Sequence, residues 1–376
     1  LSTFMKLTFK KDDLLNGINI VLKAVPSKTT MPILECILID ASGNEIKLTA
    51  NDMELGIETK VEGDIIEHGK IALDAKLLSE IIRKLSGGES LITIESDPKY
   101  TTTITCESSV FHIQGKDGEE FSYLPYIEKD LHIALSQFTL KEVIRQTLFS
   151  ISVNDSNKMM TGELFQVADY ELKVVSLDGH RMSIRKISLK EKYEDIKVIV
   201  PGKTLSEISK ILNGDNESEV LIYFSKNHIL FEFDSTVVVS RLIEGEYFRI
   251  EQMLSSDYET KVTLNKREFL DNIDRASILI RENDKKPIIL NVLDNVMELK
   301  MNSSFGTMNS KVSIRKTGKD IMIGFNPKFL MDALRIIDDE DVDLYMMNPK
   351  SPCFIKDSGE TYIYLILPVN FNAATI

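Results

Sequence analysis

The chain has few cysteines, no long apolar run and no excess of positive charge. Its three cysteines, Cys36, Cys106 and Cys353, lie far apart, which argues against a disulfide framework or a thiolate zinc site and favours a reducing cytoplasm. The longest apolar runs, such as residues 362–369, are far shorter than the roughly 18 to 20 residues that a membrane helix needs. We therefore expect a cytoplasmic protein that has no membrane partner.

Acidic residues outnumber basic residues by 58 to 45, which gives a formal net charge of −13. This balance argues against a protein that coats nucleic acid by general attraction, although a locally basic surface would still bind DNA. Of the 376 residues, 43% are apolar and 27% are charged, which excludes wholesale disorder, collagen-like repeats and coiled-coil rods. At roughly 100 to 200 residues per domain, the chain is long enough for two or three domains.

Helical patterns recur at intervals of about a third of the chain. One set carries apolar residues at the i, i+3 or i+4, i+7 spacing of a helix with one buried face. These stripes run over residues 14–25, 140–151 and 269–280. A second set starts at Asp74, Pro201 and Asn326, which are helix-opening residue types 127 and 125 positions apart. Glycines at positions 87 and 214 are the predicted stops of the first two. The sequence therefore predicts three copies of one module.

Short runs of β-branched and aromatic residues lie between these helices, and turn residues separate them. We expect antiparallel strands, roughly eight in each module, with two helices covering one side of a sheet. The predicted strands include residues 46–50, 90–95, 173–176, 220–224, 229–233, 236–240 and 362–367. The predicted fold class is α+β, with modules at residues 5–130, 131–255 and 256–376.

The second helix of each module carries basic residues at matched positions. The positions are Lys76, Lys203 and Lys328 and, seven residues later in each copy, Arg83, Lys210 and Arg335. Because seven residues make two helical turns, each pair lies along one helix face. Acids recur between them, at Glu80, Glu207 and Asp332. One interpretation is a solvated face with salt bridges. The other is a basic face that all three modules turn toward one anionic object, for which duplex DNA is the natural candidate.

Two segments partly match enzyme motifs. Residues 201–204 look like the end of a phosphate-binding loop, but position 197 is Lys where that loop needs a glycine. Asp178 lies close to His180, but such residues in a tight turn point apart, and no local pattern supplies a nucleophile. The spacing of the other histidines does not match that of metal ligands. These histidines are His68, His112, His132 and His228. We expect no catalytic residue, no metal and no cofactor.

Four short motifs follow one another in order along the chain. They are Thr-Met-Pro-Ile-Leu at residues 30–34, Asp-Gly-His-Arg at 178–181, Val-Ile-Val-Pro-Gly-Lys at 198–203 and Tyr-Leu-Ile-Leu-Pro-Val at 364–369. With these motifs, residues 5–371 resemble the bacterial DNA polymerase III β subunit family, the sliding clamps. The resemblance implies DNA-clamp modules, six of which form a closed ring in a head-to-tail homodimer, with helices lining the central hole.

The resemblance further implies a non-catalytic processivity factor that encircles duplex DNA without sequence preference and tethers the replicative polymerase. The partners it implies are the DNA polymerase III catalytic subunit, the clamp loader and other proteins with clamp-binding motifs. Two alternatives remain open. One is a hydrolase or nucleotide-using enzyme built around Asp178, His180 and Lys203, and the other is a repeat-built scaffold that does not meet DNA.

The candidates for DNA binding come from two sources. The resemblance implies Lys28, Lys158 and Lys203, and the repeat adds Arg83, Lys210 and Arg335. In the family, the segment around Lys158 often carries aromatic residues that stack on single-stranded template, and this sequence lacks them there. The single-strand contact of the family is therefore not predicted from these residues.

A hydrophobic cleft for short partner peptides, between the second and third modules, is also implied by the resemblance. The matching residues are Met160, Leu177, Gly179, His180, Arg181, Met182, Phe248, Met253, Leu365, Leu367, Pro368, Val369, Asn370 and Phe371. The three methionines suit several partner sequences, because this side chain is flexible and polarizable, and ordinary core filling is the alternative. Phe248 stands where the family usually has proline, and Asn370 where it usually has arginine.

For the joint between subunits, the resemblance implies that Phe111 and Ile113 of the first module meet Ile278 and Leu279 of the third module of another copy. Burial of these four residues within their own modules is the alternative. A head-to-tail contact closes into a ring only if its rotation suits the number of subunits.

Overall fold

The structure is a computed structural model that describes residues 4–154 and 156–376. Within these residues the chain forms six α-helices, two in each predicted module. They are α1 (Lys11–Val21), α2 (Ala75–Lys84), α3 (Gln137–Thr147), α4 (Gly202–Ile211), α5 (Lys266–Ser277) and α6 (Pro327–Ile336). All six helices were predicted from apolar spacing or from start signals. None of these six is both long and apolar enough to cross a membrane.

The predicted helix starts are confirmed, and so are the predicted buried faces as far as Val21, Thr147 and Ser277, where α1, α3 and α5 end. The last predicted stripe residues, Val25, Ile151 and Ile280, lie beyond these helices. The buried stripes comprise Leu14, Ile18 and Val21 in α1, Leu140, Val143 and Ile144 in α3, and Phe269, Ile273 and Ala276 in α5. Asp74 caps α2 by accepting a hydrogen bond from the Leu77 amide at 2.8 Å, and Asn326 caps α6 through the Lys328 amide at 3.0 Å. Such caps satisfy amides that the first helical turn leaves without a backbone partner. The helices α2 and α4 end three residues before the predicted glycine stops.

The strands of the first module are short. They are β1 (Met5–Lys10), β2 (Cys36–Asp40), β3 (Ile46–Asn51), β4 (Leu55–Val61), β5 (Asp64–Glu67), β6 (Lys70–Asp74), β7 (Leu91–Ser96), β8 (Thr101–Cys106), β9 (Ser109–Gln114) and β10 (Lys116–Asp117). The predicted run at residues 46–50 lies within β3, and β7 begins one residue later than predicted.

The second module has longer strands and fewer of them. They are β11 (His132–Ser136), β12 (Gly162–Leu177), β13 (Arg181–Pro201), β14 (Glu219–Phe224), β15 (His228–Phe233) and β16 (Thr236–Arg241). The expectation of about eight strands fails here, because β12 and β13 are 16 and 21 residues long and each takes the length of two ordinary strands. The predicted strand at residues 173–176 is one part of β12.

The third module returns to short strands. They are β17 (Thr260–Asn265), β18 (Ile288–Val292), β19 (Val296–Ser303), β20 (Gly306–Ser313), β21 (Arg315–Gly318), β22 (Ile321–Phe325), β23 (Asp341–Met346), β24 (Cys353–Lys356) and β25 (Tyr362–Ile366). The predicted final strand, at residues 362–367, is β25 and ends one residue early.

The backbone divides into two compact units, the first of which runs to Leu140 and adds Lys203–Leu242. Its described residues form a five-stranded sheet of order β5-β1-β7-β8-β9 and a nine-stranded sheet of order β10-β6-β2-β3-β4-β16-β15-β14-β11, both antiparallel as predicted. In the larger sheet β4 pairs with β16, with Ile57 opposite Val238. One continuous sheet therefore joins the first and second predicted modules.

The second unit comprises Lys141–Gly202 and Ile243–Ile376. Its described residues form a seven-stranded sheet of order β12-β13-β25-β24-β23-β17-β21 and a four-stranded sheet of order β20-β19-β18-β22. Phe269 of α5 and Leu330 of α6 share one core with Leu290 of the smaller sheet and Leu344 of the larger. The pairing of β13 with β25 places Met182 opposite Leu365, so this larger sheet joins the second and third modules.

Candidate functional site

The six repeat-matched cations are all exposed. They are Lys76 and Arg83 on α2, Lys203 and Lys210 on α4, and Lys328 and Arg335 on α6. An exposed, recurrent set fits a solvated face and a ligand-facing surface equally well. Their partners therefore decide how much positive charge each helix presents.

Three of these cations already have an acidic partner. Lys203 forms a salt bridge with Asp52, Lys210 Nζ lies 3.0 Å from Glu207 Oε1, and Arg335 Nη2 lies 3.7 Å from Asp274 Oδ1. The Arg335–Asp274 pair is exposed on both sides and contributes about 0–1 kcal/mol, so a phosphate oxygen can replace its carboxylate at little cost. The carboxylates of Asp52 and Glu207 are more covered, with side-chain exposures of 7% and 19%. Among the described residues, no acid forms a salt bridge with the other three cations.

The other two candidates for DNA binding are also exposed. Lys28 lies in the turn before a 3₁₀ helix at Pro32–Glu35, and Lys158 opens a second 3₁₀ helix at Lys158–Thr161. Asn157 caps this second turn by accepting a hydrogen bond from the Met159 amide at 3.1 Å. Both lysines therefore project from short turns instead of from the repeated helices.

The predicted turn at residues 178–180 connects β12 to β13. Gly179 has a φ of +89°, a conformation that glycine adopts without a steric penalty. Asp178 Oδ1 accepts hydrogen bonds from the amides of His180 at 2.9 Å and Arg181 at 3.1 Å. This carboxylate is therefore committed to the turn, which is the structural interpretation that the sequence favoured over catalysis.

Five of the predicted cleft residues belong to one apolar cluster in the second unit, and we call them the cleft floor. They are Met160, Leu177, Met182, Phe248 and Leu365. Leu177, Met182 and Leu365 are buried, whereas Met160 and Phe248 are half-buried. Gly179 lies beside Met160, because a Cβ placed on it would be 3.9 Å from Met160 Cε. Core filling is thus the role of Met182 within this fold, and Met253, 45% exposed, has a free surface.

Arg181 is a buried cation, and each of its three guanidinium nitrogens meets a protein acceptor. Its Nε lies 3.1 Å from Asp178 Oδ2, its Nη1 lies 2.6 Å from Asp332 Oδ2, and its Nη2 donates to the Phe149 carbonyl at 2.8 Å. Its Cζ lies 4.3 Å from the centre of the Phe329 ring. Since a buried charge needs a partner for each lost water, this network fixes the β12–β13 turn against α6. Arg181 therefore has a structural role in this unit.

Four more predicted cleft residues line a cavity of about 720 Å³ in the second unit. They are His180, Leu367, Pro368 and Val369. We call this cavity the side cavity. The His180 ring stacks on Phe329 with 6.3 Å between ring centres, and the Leu367 amide donates to the His180 carbonyl at 2.9 Å. Leu367 is 39% exposed, so its side chain is available to a ligand.

Asn370 and Phe371, the last two predicted cleft residues, lie beside the four-stranded sheet. Asn370 is exposed. Phe371 packs on Gly324 of β22, where an added Cβ would lie 2.9 Å from Phe371 Cδ1, and the Val369 amide donates to the Gly324 carbonyl at 2.8 Å. This segment therefore covers the edge of β22, and Phe371 does not belong to the cleft floor cluster.

Phe329 was not among the residues predicted from the sequence. It is half-buried, contacts both His180 and Arg181, and lines the side cavity. A signal was available, because Phe329 falls outside the buried stripe of α6 that Leu330, Ala333 and Leu334 form. A large aromatic residue beside a buried stripe indicates a contact outside the helix's own core.

The four residues predicted for the subunit joint are only partly covered. Phe111 is 39% exposed and Ile278 is 80% exposed, whereas Ile113 and Leu279 are half-buried. Phe111 and Ile113 lie on β9, which is an edge strand of the five-stranded sheet. The alternative of full burial within their own modules is therefore excluded for Phe111 and Ile278.

Family models for the three domains of the DNA polymerase III beta subunit match successive parts of the chain. The N-terminal domain matches residues 5–125, the central domain residues 134–248 and the C-terminal domain residues 251–370. The chain belongs to this family. The beta sliding clamp of Staphylococcus aureus is 35% identical over 376 residues, covering 97% of this chain and 99% of that relative.

Solved clamp structures share the fold. A structure from Eubacterium rectale, described as a DNA polymerase III beta subunit, has 64% identity and a TM-score of 0.95 and covers 98% of this chain and 100% of its own. The DNA polymerase sliding clamp from Bacillus subtilis has 33% identity, the same TM-score and the same coverage. The predicted family and the three clamp modules are thus confirmed.

Membership of the clamp family also decides the class of function. The family is the sliding-clamp processivity subunit, a non-catalytic protein, so the predicted non-enzymatic function is confirmed. The alternative of a hydrolase or nucleotide-using enzyme has no support. In the described residues no group of three or more His, Cys, Asp and Glu side chains is placed to hold a metal ion.

Proposed function

We propose that two copies of this chain close into a ring of six modules around duplex DNA and tether the replicative DNA polymerase to its template in the bacterial cytoplasm. The observation that carries the proposal is the exposure of cations at matched positions of α2, α4 and α6 in a chain whose net charge is −13. Contacts to phosphates do not depend on the DNA sequence. A ring lined by such helices can therefore slide along DNA. Enclosure, and not tight binding, then provides retention.

For the joint of the ring we propose two exposed edges. The strand β9 of one copy carries Phe111 and Ile113, and the segment of the other copy that follows α5 carries Ile278 and Leu279. An edge strand presents unpaired backbone groups that favour pairing with another chain. Because the two edges differ, the contact is heterologous and closes only at a fixed number of subunits.

For the partner site we propose that the cleft floor, Met253 and the side cavity bind short linear motifs of the polymerase III catalytic subunit, the clamp loader and other partners. The side cavity contributes His180, Leu367, Pro368 and Val369. An apolar depression with few polar groups is the usual form of such a site. Methionine side chains are flexible and polarizable, so Met160 and Met253 can adapt to different apolar residues. For DNA we propose Lys28, Arg83, Lys158, Lys203, Lys210 and Arg335.

Enclosure is tested by loading the protein onto a nicked circular plasmid with its clamp loader and then cutting the circle. We expect retention on the circle in high salt and release after cutting. A linear DNA whose two ends are blocked by bound protein should retain the clamp. Equal retention on open linear DNA would contradict enclosure, and a solution mass other than twice 42.6 kDa would contradict the dimer.

The cleft is tested with a Met253→Asp variant. Because Met253 is 45% exposed, the fold tolerates the charge, and we expect weaker binding of a polymerase peptide with an unchanged dimer mass. Met182→Asp is not a useful test, because Met182 is buried and an unpaired carboxylate there would destabilise the core. Tyr126→Asp is the matched control, since Tyr126 is 90% exposed and lies in the first unit. Equal peptide affinity in the parent and Met253→Asp proteins would remove Met253 from the site.

A further inference from the structure

The turn between β3 and β4 repeats the geometry of the turn between β12 and β13. Asp52 Oδ1 accepts hydrogen bonds from the amides of Glu54 at 2.9 Å and Leu55 at 2.7 Å. Asp178 Oδ1 receives the same two bonds in its own turn, and Met53 has a φ of +77°, near the +89° of the glycine that follows Asp178. Backbone amides therefore hold the Asp52 carboxylate in a fixed place and leave its second oxygen for another partner.

That second oxygen neutralises a cation of the repeated helices. Asp52 Oδ2 forms a salt bridge with Lys203 in the first turn of α4, whereas Asp178 Oδ2 meets Arg181 of its own turn. The Asp52 side chain is 7% exposed and the Lys203 side chain is 60% exposed. Ordering a side chain costs conformational entropy, and the turn has already ordered this carboxylate. The pair is therefore more persistent than an ion pair between two mobile surface side chains.

Of the three helices with matched cations, only α4 has an acidic partner for both, within the part of the chain that the structure describes. Lys210 Nζ lies 3.0 Å from Glu207 Oε1, and the Glu207 side chain is 19% exposed. On α2, which belongs to the same unit, neither Lys76 nor Arg83 forms a salt bridge with a described acid. The helix α4 therefore presents ion pairs where α2 presents unneutralised charges.

The carboxyl ends of these helices differ in the same direction. Lys11 Nζ donates to the Leu85 carbonyl at the end of α2 at 2.5 Å, and Lys266 donates to a carbonyl at the end of α6. The matching residue at the start of α3 is the neutral Gln137, which accepts a hydrogen bond from the Asn213 amide at 3.1 Å. A cation near a helix C-terminus interacts favourably with the helix dipole and adds positive charge there. The helix α4 is therefore the least positive of the three at both of its ends.

We propose that Asp52 limits the affinity of the clamp for duplex DNA by neutralising Lys203, so that α4 holds phosphates more weakly than α2 does. The proposal rests on the proposed DNA-binding function and adds a residue that sets its strength. Because a phosphate contact must break each time the ring advances, each unneutralised cation strengthens the hold and slows sliding. In a ring that retains DNA by enclosure, Asp52 thus favours mobility.

The test compares the parent protein with the variant Asp52→Asn. Asparagine keeps the turn, because its side-chain oxygen accepts the same two amide bonds, but it removes the charge opposite Lys203. Fluorescence anisotropy measures the affinity for a short labelled duplex from about 50 to about 200 mM salt, where phosphate contacts change affinity strongly. At the lowest salt we expect the affinity to rise about three- to tenfold, and the slope of log affinity against log salt should steepen by up to about 0.9, as one added phosphate contact allows. Loaded onto DNA with blocked ends, the variant should also diffuse more slowly.

Glu54→Gln is the matched control. It removes one negative charge from the same turn, but the ion-pair partner of Glu54 is Arg241, 3.6 Å away, which is not one of the matched cations. The salt slope of this variant should equal that of the parent. A second measurement uses Lys203→Ala, which should lower the affinity more in the Asp52→Asn protein than in the parent, because only there is Lys203 released from its carboxylate.

Equal affinities and salt slopes of the parent and Asp52→Asn would overturn this proposal and leave DNA binding intact. An equal rise in Glu54→Gln, or a fall in Asp52→Asn, would overturn it as well, because Asp52 would then have no specific restraining role. Should Asp52→Asn fail to fold, as urea unfolding would show, Lys203→Ala decides, and a loss of affinity as large as that of Arg83→Ala would contradict the proposal. Absence of any salt-dependent binding by the parent would instead overturn the proposed function itself.

Discussion

Two kinds of basic side chain occur in this chain, and they differ in what surrounds them. Arg181 is buried between two phenylalanine rings, and each of its three nitrogens meets an acceptor. The six cations of α2, α4 and α6 are exposed. Three of them each form a salt bridge with one carboxylate, and the other three form none with a described residue. Arg181 therefore contributes to the fold, whereas the helical cations remain available to a ligand.

Two acids at equivalent positions of the repeat, Glu207 and Asp332, also differ in their surroundings. Glu207 pairs with Lys210 on its own helix, as a solvated face predicts. Asp332 holds the same repeat position but lies 2.6 Å from Arg181 Nη1, 151 residues away in sequence. The same repeat position thus serves the surface in one module and a buried network in another.

The largest effect is expected for Arg181→Met. Removing one partner of a buried ion pair leaves Asp332 without its cation, and such changes lower the free energy of unfolding by about 3–5 kcal/mol. The contrasting variant, Arg335→Met, removes an exposed cation and should cost less than about 1 kcal/mol. Urea unfolding followed by circular dichroism measures both. Equal costs for the two variants would abolish the distinction between the buried and the exposed cations.

Glu163 is a buried acid that has no cation as a partner among the described residues, in contrast to Asp332. Glu163 is fully buried, accepts a hydrogen bond from Thr147 Oγ1 at 3.0 Å, and has no partner for Oε1 among the described residues. Burial raises the pKa of this carboxyl to about 8, and the hydrogen bond from Thr147 opposes the rise. Unlike Asp332, Glu163 is therefore protonated at neutral pH in the folded protein.

The raised pKa of Glu163 should make the stability of the protein depend on pH. Above the pKa that Glu163 has in the unfolded chain, the unfolded state has lost the Glu163 proton while the folded state keeps it. The free energy of unfolding therefore falls as the pH rises toward 8. The fall should be about 2 kcal/mol between about pH 5.5 and 7.5. Glu163→Gln should remove this slope, because the amide does not titrate. The exposed Glu171→Gln is the control, and an unchanged slope in Glu163→Gln would mean that Glu163 is ionised in the fold.

Local pattern was sufficient for most of the fold. The stripes beginning at Leu14, Leu140 and Phe269 are helices, and the starts at Asp74 and Asn326 are caps, because such features depend on residues three or four positions apart. The exposure of the basic positions followed from the same spacing. The lengths of β12 and β13 did not, since a bend within a long strand depends on its partner strand.

The candidate site was less accessible to sequence reasoning. The pairing of Arg181 with Asp332 and the contact of His180 with Phe329 join residues about 150 positions apart, and no local spacing encodes them. The family resemblance identified Arg181 without its role. The side cavity is lined by residues from four segments of the chain, so it became visible only in the folded protein.

The smallest effect on stability, and the most informative for function, is expected for Arg83→Ala/Lys210→Ala/Arg335→Ala. Alanine favours helices and the lost exposed contacts are weak, so the free energy of unfolding should change by less than about 1 kcal/mol. If these cations face DNA, loading onto a circular plasmid weakens, and the slope of log affinity against log salt falls by up to about 0.9 for each lost phosphate contact. The control replaces Lys99, Lys190 and Lys226, which lie outside the helices. An unchanged salt slope would return the six helical cations to a solvated face, and the buried and exposed cations would then both be structural.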